Sequence, residues 1–153
     1  MPQVKTLREK LMAAAVAKLK LIQAPLYSVS IRAVERTAGS IPERPTSPMG
    51  FIWEGPEETR QDLAAGYDVN TVELVSVLVV DDYTEAAVRG NELIGDMIRV
   101  FGADGLLVTN ADNDSICADT NKRGSELVLV NELVHAAVFW DVVYWCKTGD
   151  PTR

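Results

Sequence analysis

The chain has 153 residues, 47% of them hydrophobic, and a formal net charge of -7 at pH 7. That length predicts one domain, residues 1–153, with a core large enough to stand without staples, and the apolar fraction excludes general disorder. The acidic balance argues against a protein that grips nucleic acid or an anionic membrane, although it suits a wall past which DNA slides.

The first predicted element is a helix over Thr6 to Ile22. Thr6 and Glu9 have capping-box spacing, Val4, Leu7, Leu11, Ala14, Ala15 and Leu19 fall on one face, and Pro25 forces an end. Tyr27 to Arg36 alternates and predicts a half-buried strand. Thr37 to Pro48 holds Gly39, Pro42, Pro45 and Pro48 and reads as a loop. Met49 to Glu54 predicts a short strand near a sheet edge or bend. Gly55 to Val69, with Leu63, Ala64, Ala65 and Tyr67 as its apolar patch, reads as a second long loop. Connections of that length are usually functional or mobile, so two of them around one short strand hint at arms that reach a neighbour.

Asn70 to Phe101 reads as the organising stretch. Thr71 to Val80 predicts a strand buried on both faces. Asp82 stands as an N-cap with Glu85 three residues on, and Tyr83 to Phe101 follows at helical spacing, with Gly102 as the C-cap at the start of a turn running to Gly105. Gly105 to Thr109 predicts a short strand and Asn110 to Ser115 a polar turn. Ile116 to Asp119 is expected to pair with Glu126 to Val130 across a hairpin turn at Asn121 to Gly124. Glu132 to Cys146 alternates and is rich in Val and aromatics, which favours a long strand. The tail, Lys147 to Arg153, is expected to be loose.

Chemical motifs are weak. Asn110-Ala-Asp112-Asn-Asp114 begins like a calcium loop, but Ser115 and Asn121 stand where the pattern needs Gly and Glu. His135 has apolar neighbours on either side and reads as a core or interface histidine. Cys117 lacks an activating motif, and the two cysteines with one histidine support neither a disulfide framework nor a zinc site. No phosphate-binding glycine loop, nucleophile elbow or metalloprotease helix occurs. No catalytic residue, metal or cofactor is therefore assigned. No signal-peptide order and no membrane-spanning apolar run is seen, so the chain is expected to assemble inside a cell.

The order of elements resembles the tail terminator (tail completion) proteins of long-tailed bacteriophages. The resemblance rests on Val4-Lys-Thr-Leu-Arg-Glu-Lys-Leu11, the Tyr27 to Arg36 strand, Pro48-Met-Gly-Phe-Ile-Trp-Glu-Gly55, Val75 to Val80 followed by Asp82 to Phe101, and the final Val134 to Trp145 strand. It covers nearly the whole chain and is one of layout rather than of a signature motif. It implies an α+β fold, with a mainly antiparallel sheet and an N-terminal helix and a long central helix packed on one side. It also implies a non-enzymatic virion protein of the tail or neck, assembled in the host cytoplasm. Its partners would be copies of itself in a hexameric ring, the tail tube protein and the head connector, with DNA crossing the lumen and no membrane involved. Phage neck and head-completion proteins share much of this layout. A small adaptor and a small enzyme with an acidic pocket remain as other classes. Under the ring reading, Arg60 and Tyr67 are the candidate contact anchors, since Arg and Tyr are enriched at interface hot spots. Glu57, Glu58, Asp62 and Asp68 are the candidate acidic surface near the lumen.

Overall fold

The computed structural model of the chain describes residues 5–62, 64–102 and 105–153. The roles expected for Val4, for Leu63 and for the middle of the Gly102 to Gly105 turn lie outside those residues. In chain order the elements are α1 (Leu7–Lys20), β1 (Val34–Arg36), β2 (Met49–Asp62), β3 (Tyr67–Val80), α2 (Ala86–Gly102), β4 (Leu106–Thr109), β5 (Ser115–Val130) and β6 (Leu133–Lys147).

Strict alternation decides the middle of the molecule. From Val134 to Cys146 every even-numbered residue of β6 is buried, because period-two spacing puts all of them on one face. That strand lies between β3 and β5, in the sheet order β1-β2-β3-β6-β5-β4. β4 pairs only with the first four residues of β5, Ser115 to Ala118. The sheet is mixed: β1 runs parallel to β2, and every other pair is antiparallel. One face holds the larger core, where Leu7, Leu11 and Leu19 of α1 and Leu93, Met97 and Phe101 of α2 meet Leu74, Leu78, Val138 and Trp140. The Phe101 and Trp140 rings lie 5.0 Å apart, centre to centre. Because α1 touches β1 and β2 at one edge and β4 at the other, the sheet coils around it. The opposite face carries a smaller cluster of Phe51, Val75, Val77 and Val79. Below, the helix side is called the inner face and the other the outer face.

The expected fold class is corrected. Strand residues outnumber helical ones about two to one, and four strands of 14 to 16 residues in a mixed sheet, rather than a long central helix packed on a sheet, organise the molecule. Two segments read as irregular cause most of the difference. Gly55 to Val69 is not a loop: β2 and β3 pair from Met49↔Val79 to Asp62↔Tyr67, and the Gly55-Pro56 breaker is absorbed as a bulge between Glu54 and Glu57. Asn121 to Gly124 is not a hairpin turn, because β5 runs straight through it with a bulge between Lys122 and Gly124. The true turn is Asn131-Glu132, whose φ values of 50° and 64° suit a two-residue type I′ hairpin.

Side chains explain the remaining differences. Tyr27 to Ile31 is not strand, because it is pinned across α2. Asp96 accepts from Ser28 N at 2.9 Å and Ser28 Oγ at 2.5 Å, Arg89 donates to Ser28 O at 3.1 Å, and the Arg99 guanidinium sits 4.1 Å from the centre of the Tyr27 ring. Asp82 precedes α2 by several residues, and the first helical bond runs from Arg89 N to Glu85 O. Thr6 does cap α1, accepting from Glu9 N at 3.2 Å, but the Glu9 carboxylate turns to Arg36 at 2.8 and 2.9 Å instead of closing the box. The tail is tied down as well: Leu7 N donates to Pro151 O and Ala111 N to Thr152 O, each at 2.9 Å.

Candidate interaction surface

The register across β2, β3, β6 and β5 sets out the outer face row by row. The first three rows are largely apolar: Met49, Val79, His135 and Val128, then Phe51, Val77, Ala137 and Glu126, then Trp53, Val75, Phe139 and Gly124. A charged belt follows, where Arg123 meets Glu73 at 2.9 Å and Asp141 at 3.9 Å. Beyond the belt the rows turn polar, through Glu58, Thr71, Val143 and Asp119, to Arg60, Val69 and Trp145, and to Asp62, Tyr67 and Lys147. One face of the sheet therefore has two unlike halves.

Alternation divides the predicted site residues between the faces. Arg60 and Tyr67 both lie exposed at the polar end of the outer face, with Asp62 and Val69 between them. Tyr67, Val69 and Trp145 also line an open hollow of about 440 Å³ with Asp62, Asn110 and Asp114. Of the four acids, Glu58 and Asp62 belong to this outer end. Asp62 is partly used by the turn, where its carboxylate accepts from Ala65 N at 3.2 Å. Glu57 and Asp68 are on the inner face and already engaged. Glu57 accepts from Tyr144 OH at 2.7 Å and stands 3.6 Å from Arg8, and Asp68 accepts from Thr148 Oγ1 at 3.0 Å. The four acids thus do not form one surface.

The inner face beside Glu57 is a satisfied polar cluster. Glu54 binds Arg8 at 2.5 Å and also Arg36. Burial pushes the Glu54 carboxyl up, but the two guanidiniums outweigh it and hold the group below the usual carboxylate range. Burial and the Glu57 carboxylate push the Tyr144 phenol well above its ordinary value. Further in, Thr59 donates to Asn70 Oδ1 at 2.8 Å, and Asn70 Nδ2 donates to Cys146 Sγ at 3.2 Å. Arg8 and Arg36 face Glu54, with Glu57 beside Arg8 and Glu9 beside Arg36, which suits a clamp between α1 and β2.

His135 lines a second, smaller hollow of about 240 Å³ at the apolar end of the outer face, with Ile41, Trp53, Phe139, Val128 and Glu126 among its neighbours. Its Nε2 is shielded from solvent without a hydrogen-bond partner, and burial lowers the imidazole pKa, so the ring is neutral at pH 7. The Asn110 turn is closed by its own side chain: Asn110 Oδ1 accepts from Asp112 N and Asp114 N, each at 2.9 Å. Among the described residues no cluster of three or more His, Cys, Asp or Glu could hold a metal ion, and no helix is long and apolar enough to cross a membrane. Sequence reasoning missed the outer face as a unit, because half of it was read as loop and turn; residues 57–62 are polar at every position and carry no alternation that would mark a strand.

No family model matches the chain, and no curated protein matches it. Among solved structures it is similar to a chain of one described as the virion of a native gene transfer agent particle, at 11% identity and a TM-score of 0.44, over 92% of this chain and 96% of that one.

Proposed function

We propose that this chain is a non-enzymatic structural protein of a phage-like virion, and specifically a tail terminator. Copies close into a ring, a hexamer in this reading, that caps the tail tube, ends its polymerisation and offers a face to the head connector. DNA passes through the lumen without specific binding. The observation that carries the reading is the outer face of the sheet, split by the Glu73–Arg123–Asp141 belt into an apolar half and a polar half. A closed ring is built from heterologous contacts, and each subunit must then present two unlike surfaces. The sequence layout supports the same assignment. The exposed Arg60 and Tyr67 at the polar end are the proposed anchors on the tube or a neighbour, and Glu58 and Asp62 beside them are the acids proposed to border the lumen.

The test is tube assembly. Tail tube protein polymerised with this chain should give shorter tubes, each with the chain at one end. Tubes of unchanged length with bare ends would overturn the terminator role. Binding to the head connector with no effect on tubes would move the protein to the neck.

A further inference from the structure

The two long edges of the sheet are treated differently. The β2 edge is blunted several ways. β1 covers Gly50 to Ile52, Thr37 N donates to Ile52 O at 2.9 Å, and Arg8 donates to Gly55 O at 3.4 Å. Pro56 has no N–H to offer, and the bulge at Glu54 to Glu57 bends the strand. The β5 edge has none of these devices over Ser125 to Val130. β4 stops at Ala118, β6 holds only the other side, and this stretch has no proline, lysine or bulge.

That same stretch carries apolar surface. Val128, Leu129 and Val130 are 40%, 53% and 37% exposed, and they are three consecutive members of a short set of large exposed hydrophobics. Alternation puts Val128 and Val130 on the outer face, where they form one wall of the His135 hollow, and Leu129 on the inner face. Folded proteins normally protect such an edge, because its unpaired N–H and C=O groups template another strand. Carboxylates stand along it: Glu126 lies on the outer face, and Glu43 and Glu132 lie with Arg44 beside the Asn131 turn. Arg123 is already paired with Glu73.

The geometry points to Ser125 to Val130 as a strand-docking site for an extended segment of another protein. The segment alternates aliphatic with small polar residues and carries Lys or Arg at its ends. Backbone pairing along β5 supplies the affinity. Its aliphatic side chains all fall on one face, where they cover Val128 and Val130 and set the register, its small polar residues stand beside Leu129, and the long terminal cations reach toward Glu126 and Glu132. The site shares Val128 with the apolar half of the outer face, so Leu129→Lys, on the inner face, is the variant that separates strand docking from ring formation.

The test uses the full chain and a synthetic peptide, Lys-Val-Thr-Leu-Thr-Val-Lys, beside a counterpart with Glu at both ends. Binding is followed by fluorescence polarisation and by amide hydrogen exchange. The Lys-ended peptide should bind at least tenfold tighter than the Glu-ended one, and it should slow exchange of the outward amides of Ser125 to Val130 at least tenfold. Leu129→Lys and Val128→Lys, each checked by circular dichroism for an intact fold, should lose that protection, whereas Arg60→Ala should keep it. Absence of peptide binding to folded protein, or binding that leaves these amides unprotected, would overturn the proposal. So would a free chain whose amides there are already protected in a stable dimer, since the occupant would then be a second copy.

Discussion

Leu127 of β5 fits over α2 because residue 90 is glycine: a Cβ built on Gly90 would stand 1.5 Å from Leu127 Cδ1 and 2.6 Å from its Cγ. Helix α2 therefore lies close against β5 at the price of helix propensity. Gly90→Ala gains up to about 1 kcal/mol of propensity and loses about 1–3 kcal/mol to overpacking, so a net destabilisation is expected in urea unfolding. Adding Leu127→Ala should make the alanine at 90 neutral or favourable. Equal effects of Gly90→Ala in both backgrounds would contradict the contact.

A buried polar link ties the middle of the sheet together. Trp140 Nε1 donates to Ser76 Oγ at 2.9 Å, and both residues are almost fully buried. Ser76→Ala should cost about 1–3 kcal/mol, because it strands the indole N–H in the core. The same substitution in a Trp140→Phe background should cost clearly less, and a double-mutant cycle by chemical denaturation measures the difference.

His135 gives the fold a pH dependence of known sign. Its folded pKa is lowered from 6.5 by burial. The unfolded chain therefore binds a proton that the folded chain refuses, and stability falls as pH drops below 6.5, reaching its floor below the folded pKa. His135→Asn should flatten the melting temperature over pH 7 to 5 while leaving the value at pH 7 nearly unchanged.

Glu54 acts in a lower window. Its folded pKa lies below 4.5, so the stability it contributes is present above pH 4.5 and is lost as pH falls through the folded value. Its side chain is 22% exposed and its partners Arg8 and Arg36 about a third exposed, so solvent screening limits the effect. Glu54→Gln should cost about 1 kcal/mol at neutral pH and shrink the acid loss below pH 4.5, read from thermal melts across the range.

Where period and burial agree, the fold was legible in the residues. The Val134 to Cys146 alternation marks β6, and the Leu7, Leu11, Ala15 and Leu19 spacing marks α1. The two misread strand segments share one cause. β2 beyond Glu54 and β5 around Asn121 are solvent-facing strands whose polar residues, Gly and Pro resemble loop composition, and their bulges absorb the breakers. With Gly55 to Val69 paired into the sheet, the case for that segment as a free arm falls away, and the candidate surface becomes a sheet face. That face could not be assembled from sequence, because it depends on registers between strands far apart in the chain, such as Thr71 opposite Val143 and Val75 opposite Phe139.

The central claim is that copies of this chain close into a ring through unlike contacts. The most direct measurement is solution mass by light scattering at low and high concentration, alone and with tail tube protein, followed by negative-stain imaging of the same samples. The account predicts a closed species of about six copies with a hole wide enough for duplex DNA, formed by the chain itself or on contact with tube ends. A discrete dimer that ignores tube protein would contradict it.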